Sequence, residues 1–204
     1  MNEAISSLAR RWPVQKRSRE RLERVLRIAE GLIVERGFAN LNMKELAAIA
    51  NVNISTIYTY FPNSQSLLRV LALRIIEELR AKENKLVAKL AELKTLEDLV
   101  DGYVDLSIDF YRSHTSYTAI WRGMQSDTEL LALDIDDTRA TAHALVPLFE
   151  RFNPALGDNI ELTAMMLTTM TGAVIRLASE LSVRERETAI HQLHVLARRM
   201  LIPS

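Results

Sequence analysis

Three aspartates, Asp101, Asp105 and Asp109, recur every four residues, a spacing that lines carboxylates along one face of a helix. Such a row can hold a cation, but no histidines accompany it at matching spacing, so a solvated acidic face is the expectation. His191 and His194 stand three apart, close enough on a helix to share a ligand; a surface or dimer-seam role is expected instead. His114 and His143 cannot be paired by spacing. The 204 residues contain no cysteine, which excludes disulfides, thiolate catalysis and cysteine-based zinc sites and makes a reducing cytoplasm the expected compartment. No serine or histidine falls in a nucleophile motif, and there is no glycine-rich phosphate loop. No enzyme, no metal and no cofactor are therefore expected. The chemistry to look for is binding.

One stretch suits binding. Residues 41–67 read LNMKELAAIANVNISTIYTYFPNSQSL. Met43, Leu46, Ala47 and Ala50 fall at the spacing of one helical face. Asn51 follows, the best non-glycine residue for the left-handed conformation that closes a helix. Val52 plugs the turn. Asn53 is placed to cap a second helix over residues 54–60, and Phe61-Pro62 stops it, because the residue before a proline is driven from helical geometry. Two helices this short are marginal alone and must rest on others.

Those others surround it. From Arg17 to Arg36, Leu22, Val25, Leu26, Ala29, Leu32 and Ile33 make one apolar stripe, and Gly37 supplies the stop. Phe38 is expected to pack back under that helix. Residues 1–16, with Arg10, Arg11 and Lys16, show no periodicity and read as a flexible basic arm suited to a DNA backbone or minor groove. After Pro62, Ser64 is placed to cap a long helix carrying Leu67, Leu68, Leu71, Ile75, Leu79, Leu86 and Leu90, roughly 40 Å at 1.5 Å per residue. Thr95 with Asp98 opens the next helix, which carries Leu99, Tyr103, Leu106 and Phe110. Further helical stretches are expected over residues 117–124, 127–133, 136–152 and 161–181. Ser182 with Glu185 opens a last one, ending near residue 201. No run alternates as a strand does, so the fold class is all-α. The domain division expected is the arm at 1–16, a helix-turn-helix domain at 17–63 and a helical domain at 64–204.

The formal charge is zero, but it is segregated. Residues 1–64 carry ten basic and six acidic side chains, and residues 95–161 carry four and thirteen. A basic end can attract phosphates while an acidic middle repels them. The longest uncharged run, residues 162–175, is 14 residues with four threonines, too short and polar for a membrane span.

The run Gly37-Phe38, Met43-Lys44-Glu45-Leu46-Ala47, Ala50-Asn51-Val52, Ser55-Thr56-Ile57-Tyr58, Tyr60-Phe61-Pro62 and Leu67 resembles the DNA-binding domain of the TetR family of transcriptional regulators. The resemblance covers roughly residues 20–70. It implies that Asn42 and Lys44 touch DNA phosphates, that Asn53, Ile54, Ser55, Thr56, Tyr58, Thr59 and Tyr60 form the DNA-reading surface, and that Ile57 and Phe61 point inward. Four positions depart from the family pattern: Asn51 replaces a turn glycine, Ser55 a frequent glycine, Ile54 a polar residue, and Ser64 a phosphate-binding lysine. The resemblance also implies a homodimer on a near-palindromic operator, with a C-terminal domain for a small-molecule effector, and a repressor is expected. The alternative is a DNA-organising or assembly protein using the same domain without a small-molecule switch.

For the effector, largely apolar, Tyr103, Phe110, Tyr117, Trp121, Met124, Met165, Met166 and Met170 are the candidate lining. For the dimer seam the candidates are Met165, Thr168, Gly172 and Ile175 with Ile190, Leu193, Ala197 and Met200.

Overall fold

The computed structural model describes Pro13 and residues 15–125 and 127–201, apart from the side chains at 81, 83 and 84. The basic arm, with Arg10 and Arg11, lies outside the described residues except at its last positions. Nine α-helices are described: α1 Lys16–Arg36, α2 Met43–Ile49, α3 Ile54–Tyr60, α4 Ser64–Ala91, α5 Leu96–Ser113, α6 Thr115–Met124, α7 Thr128–Phe152, α8 Ile160–Ala178 and α9 Val183–Leu201. Two 3-10 turns, Phe38–Asn40 and Pro154–Asn159, complete them, and no strand occurs among the described residues. The chain is all-α, as its periodicity predicts.

The helix-turn-helix forms where its residues require it. Asn42 caps α2, its Oδ1 accepting from the Lys44 amide at 2.9 Å and the Glu45 amide at 3.3 Å. Asn51 takes the left-handed conformation with φ of 50°. Asn53 then caps α3, accepting from the amide and the hydroxyl of Ser55 at 2.9 and 2.8 Å. Because Asn tolerates that conformation where a larger side chain strains, Asn51→Ala is expected to lower stability by about 1 kcal/mol. Asn51→Gly should leave the urea midpoint nearly unchanged.

Two expectations need correction. The cap of α4 is Asn63 rather than Ser64: the Asn63 Oδ1 accepts from the Ser66 amide at 2.8 Å, and the Ser66 hydroxyl accepts from the Asn63 amide at 3.3 Å. Residues 127–133 and 136–152 are not two helices but the single α7, which continues through Pro147. The intervening residues contain no breaker, and Asp127, by capping the start, sets a single beginning. The described residues gather into two compact units, one of residues up to 78 together with 114–132, the other of 79–113 with residues from 133 onward, so that α6 groups with the helix-turn-helix.

In the first unit the apolar stripe of α1 (Leu22, Val25, Leu26, Ala29, Ile33) is buried, as are Leu46, Ala47, Ile57, Phe61, Leu67 and Leu68. Gly123 of α6 makes the closest approach there, because a Cβ at that position would stand 3.0 Å from the Phe38 Cβ and 3.2 Å from Leu68 methyls. In the second unit Leu99, Tyr103 and Val104 of α5, Leu145 and Phe149 of α7, Leu167 of α8 and Leu193 and Ala197 of α9 share one core. The reciprocal caps expected from Thr95 with Asp98 and Ser182 with Glu185 are both present. The helical stretch Pro154–Ala178 is long and apolar enough, by length and composition, to cross a membrane. Within it α8 turns Ile160, Ala164, Leu167, Thr171 and Ile175 into the unit's core, as the central helix of a bundle does.

Candidate nucleic-acid interface

Helix α3 is held from behind. Ile57 is 1% exposed and Phe61 fully buried, which confirms both as the inward residues and leaves the opposite face for contact. On that face Ser55, Tyr58 and Thr59 are exposed, with Ile54, Thr56 and Tyr60 partly so. Lys44 is also exposed and makes no ion pair among the described residues. Not every polar group is equally available. The Thr59 hydroxyl donates to the Ser55 carbonyl at 2.8 Å, and the Ser55 hydroxyl is held by Asn53. Asn42 and Asn53 spend their Oδ1 atoms on helix amides, so both act first as positioning groups. Left to meet bases or phosphates are the Lys44 ammonium, the Thr56 hydroxyl, the two tyrosines and the Nδ2 amides of Asn42 and Asn53. A cation and hydroxyls beside a helix N-terminus suit phosphate and base edges.

The position of the missing phosphate-binding lysine, Ser64, is not made good by Arg69. Its guanidinium Nε and Nη2 donate to the Asp127 Oδ2 at 3.1 and 2.9 Å, and Nη1 pairs with Glu129. Asp127 is 8% exposed, and its other oxygen caps α7 through the amides of Glu129 and Leu130. Arg69 therefore ties α4 to the start of α7.

Two stretches match family descriptions. Residues 25–71 match "Bacterial regulatory proteins, tetR family", and residues 95–201 match "Tetracyclin repressor-like, C-terminal domain". The chain belongs to the TetR family of regulatory proteins. Its fold agrees with solved members. Salmonella enterica GusR superposes with a TM-score of 0.64 at 18% identity, over 92% of this chain and 98% of that one. A putative TetR-family transcriptional regulator from Mesorhizobium loti MAFF303099 gives 0.62 at 15% identity, over 92% and 98%. A tetR-family transcriptional regulator from Streptomyces coelicolor gives 0.62 at 19%, over 89% of this chain and 80% of that one. Comparison with curated proteins gives no match. The two family descriptions identify a TetR-family transcriptional regulator with a helix-turn-helix DNA-binding domain.

The effector candidates do not fall in one unit. Tyr117, Trp121 and Met124 lie on α6 in the first, while Tyr103, Phe110, Met165, Met166 and Met170 lie on α5 and α8 in the second. Met166 is 56% exposed, which removes it from any enclosed lining. A side chain that periodicity cannot single out stands on the inward stripe of α8. Thr171 is 1% exposed, and its hydroxyl has no hydrogen-bond partner among the described residues.

The dimer candidates divide likewise. Leu193 and Ala197 are fully buried within the chain itself, and Ile175 is 7% exposed. A Cβ on Gly172 would stand 2.7 Å from the Tyr111 hydroxyl and 2.9 Å from an Arg176 nitrogen, so this glycine admits the Arg176–Tyr111 hydrogen bond of 3.0 Å. These four are buried within the unit's own core. The exposed apolar surface lies on the outward side of α8, where Leu162, Met166 and Leu177 are 59%, 56% and 57% exposed, and on α9 at Leu196, 45% exposed. Met165, Thr168, Ile190 and Met200 are half-buried beside it.

The histidine and aspartate candidates are also resolved. His194 stands between Asp101 and Asp105, each ring nitrogen 3.2 Å from a carboxylate oxygen, and the Arg198 guanidinium pairs with Asp101. That guanidinium, against the opposing effect of burial and with help from His194, holds the Asp101 carboxyl below the usual carboxylate range. Asp101 and Asp105 thus fasten α9 to α5, and His191 is exposed. No cluster of metal-ligating side chains occurs among the described residues.

Proposed function

We propose that this regulator is a cytoplasmic homodimeric repressor that binds a near-palindromic operator and is released by a small, largely apolar effector. The exposed face of α3 carries the reading: Thr56, Tyr58 and Tyr60 stand on a rigidly backed helix with Lys44 beside it. Two such helices, one per protomer and about one DNA turn apart, match two half-sites. The exposed stripe of Leu162, Met166 and Leu177, with Leu196, supports pairing of two copies through α8 and α9. An effector acts by favouring one of two dimer arrangements and so changing the separation of the α3 helices. The close approach of Gly123 to Phe38 and Leu68 makes α6 a stiff support for the helix-turn-helix, suited to passing on such a change.

The test is binding to palindromic fragments from the protein's own genomic neighbourhood. Binding is expected to weaken with rising salt, and Lys44→Ala, Thr56→Ala and Tyr58→Ala are each expected to cost about 1–3 kcal/mol, or roughly 5- to 150-fold in affinity. Unchanged affinity in all three variants contradicts the site.

The effector is proposed to bind in the second unit among Tyr103, Phe110, Met165 and Met170, with the Thr171 hydroxyl, which has no partner among the described residues, as its polar group. Thr171→Val is expected to leave thermal stability unchanged or slightly raised, since it removes a buried hydroxyl without a partner. In a thermal-shift screen of apolar alcohols the same change should reduce the shift. An equal shift in both proteins rejects Thr171 as the anchor.

A further inference from the structure

Helix α1 has a charged flank that the helix-turn-helix residues do not account for. Arg17, Arg21 and Arg24 follow at i, i+4 and i+7, so they stand on one face, with Ile28 continuing it. All three arginines are exposed and make no ion pair among the described residues. Glu20, a turn from both Arg17 and Arg24, makes none either.

The direction of this face is fixed by packing. Arg21 lines a shallow groove together with Leu22 and Val25 of α1 and Thr56, Ile57 and Tyr60 of α3. The arginine face therefore adjoins α3, beside two of the residues assigned to DNA. The other flank of α1 is different, because there Glu23 is paired with Arg74 of α4 through hydrogen bonds of 2.7 and 2.5 Å. Charge along α1 is thus sorted by neighbour: a carboxylate neutralised by α4 on one side, and three uncompensated guanidiniums bordering α3 on the other.

We propose that Arg17, Arg21 and Arg24 form a second DNA-binding element, a ridge that grips the phosphate backbone flanking the groove entered by α3. The proposal rests on the DNA-binding reading of α3 and extends it to a helix most of whose ridge lies before the stretch that matches the DNA-binding family description, residues 25–71. Guanidiniums suit this role because their planar forks pair with phosphate oxygens in two-point contacts. Phosphate contacts position a protein on the duplex without reading sequence, so the ridge sets affinity and register while α3 sets preference. Arg21 is the central residue, since it shares the groove with Thr56 and Tyr60.

The test needs no knowledge of the operator. Full-length protein is titrated with a short mixed-sequence duplex over a range of salt concentrations, and the slope of log K against log salt is read. Each lost phosphate contact should reduce that slope by about 0.9, so Arg21→Ala should reduce it by about 1 and the triple change to alanine by about 2–3. Arg21→Lys should restore most of the slope, because an ammonium still displaces counterions. The comparison variant is Arg19→Ala with Arg27→Ala, two exposed arginines of α1 off this face, which should leave the slope nearly unchanged. The proposal is overturned if the triple variant keeps the wild-type slope, or if the comparison pair reduces it equally, since net charge alone then explains the effect. In both cases Lys44→Ala and Thr56→Ala can still weaken binding, and the reading of α3 survives. Only a wild-type protein without salt-dependent DNA binding removes both.

Discussion

Asp127→Ala is expected to destabilise the first unit by about 3 kcal/mol, measured as a lowered urea midpoint. The change removes two contributions at once. One Asp127 oxygen caps α7 through two amides, and the other holds the Arg69 guanidinium at a site where the carboxylate is 8% exposed. Breaking a buried pair costs more than the pair contributes, because the remaining charge loses its partner. Here the loss is moderated by Glu129, which still reaches Arg69. Asp127→Asn, which keeps an acceptor for the cap, should cost about half as much.

The same site sets an acid dependence. Burial pushes the Asp127 carboxyl up, but the Arg69 guanidinium and the amides of Leu130 and Glu129 outweigh it and hold the group below the usual carboxylate range. A carboxyl whose folded value lies below its unfolded one stabilises the fold above the unfolded value, about 3.9 for aspartate, and ceases to do so as pH falls through the folded value. The stability gap between wild type and Asp127→Ala should accordingly be full at neutral pH and narrow in acid. A gap independent of pH would show that the carboxylate charge is not what matters.

Met166→Glu combined with Leu177→Glu is expected to convert the proposed homodimer to a monomer and to reduce operator affinity by about 100-fold or more. Both side chains are more than half exposed on α8, so the change burdens no core in the free chain, yet it places charge in the face proposed to be shared. The affinity loss is large because two linked half-site contacts reinforce each other by an effective concentration that a monomer lacks. Sedimentation and titration on one sample separate the two effects. Leu193→Glu is the contrast: that leucine is fully buried within the chain, so the variant should unfold rather than dissociate. A double variant that remains dimeric would move the seam elsewhere.

The element that was most readable from residues is the helix-turn-helix, and the reason is local. Asn51, Asn53 and Phe61-Pro62 each impose a backbone conformation within a few residues, so the helix bounds of α3 follow from sequence alone. The end of the short-range logic is visible at the very next helix, where Asn63 and Ser64 are both acceptable caps and only the hydroxyl of Ser66 decides between them. Long-range questions were less accessible. Periodicity marks both Leu193 and Leu196 as apolar residues of α9, but which of them faces the chain's own core depends on where α5 and α8 pack. The pairing of Arg69 likewise depends on Asp127, 58 positions later, being placed beside it. The border of Arg21 with Thr56 and Tyr60 also needed the fold.

The central claim, that the exposed face of α3 reads an operator as one half of a dimer, is tested most directly by selecting bound duplexes from a random-sequence pool. The account predicts enrichment of a near-palindrome with half-sites about 34–36 Å apart, and a relaxed or altered half-site when Thr56→Ala or Tyr58→Ala protein performs the selection. A pool that stays unenriched with wild-type protein, or an enriched motif identical for wild type and both variants, would contradict it.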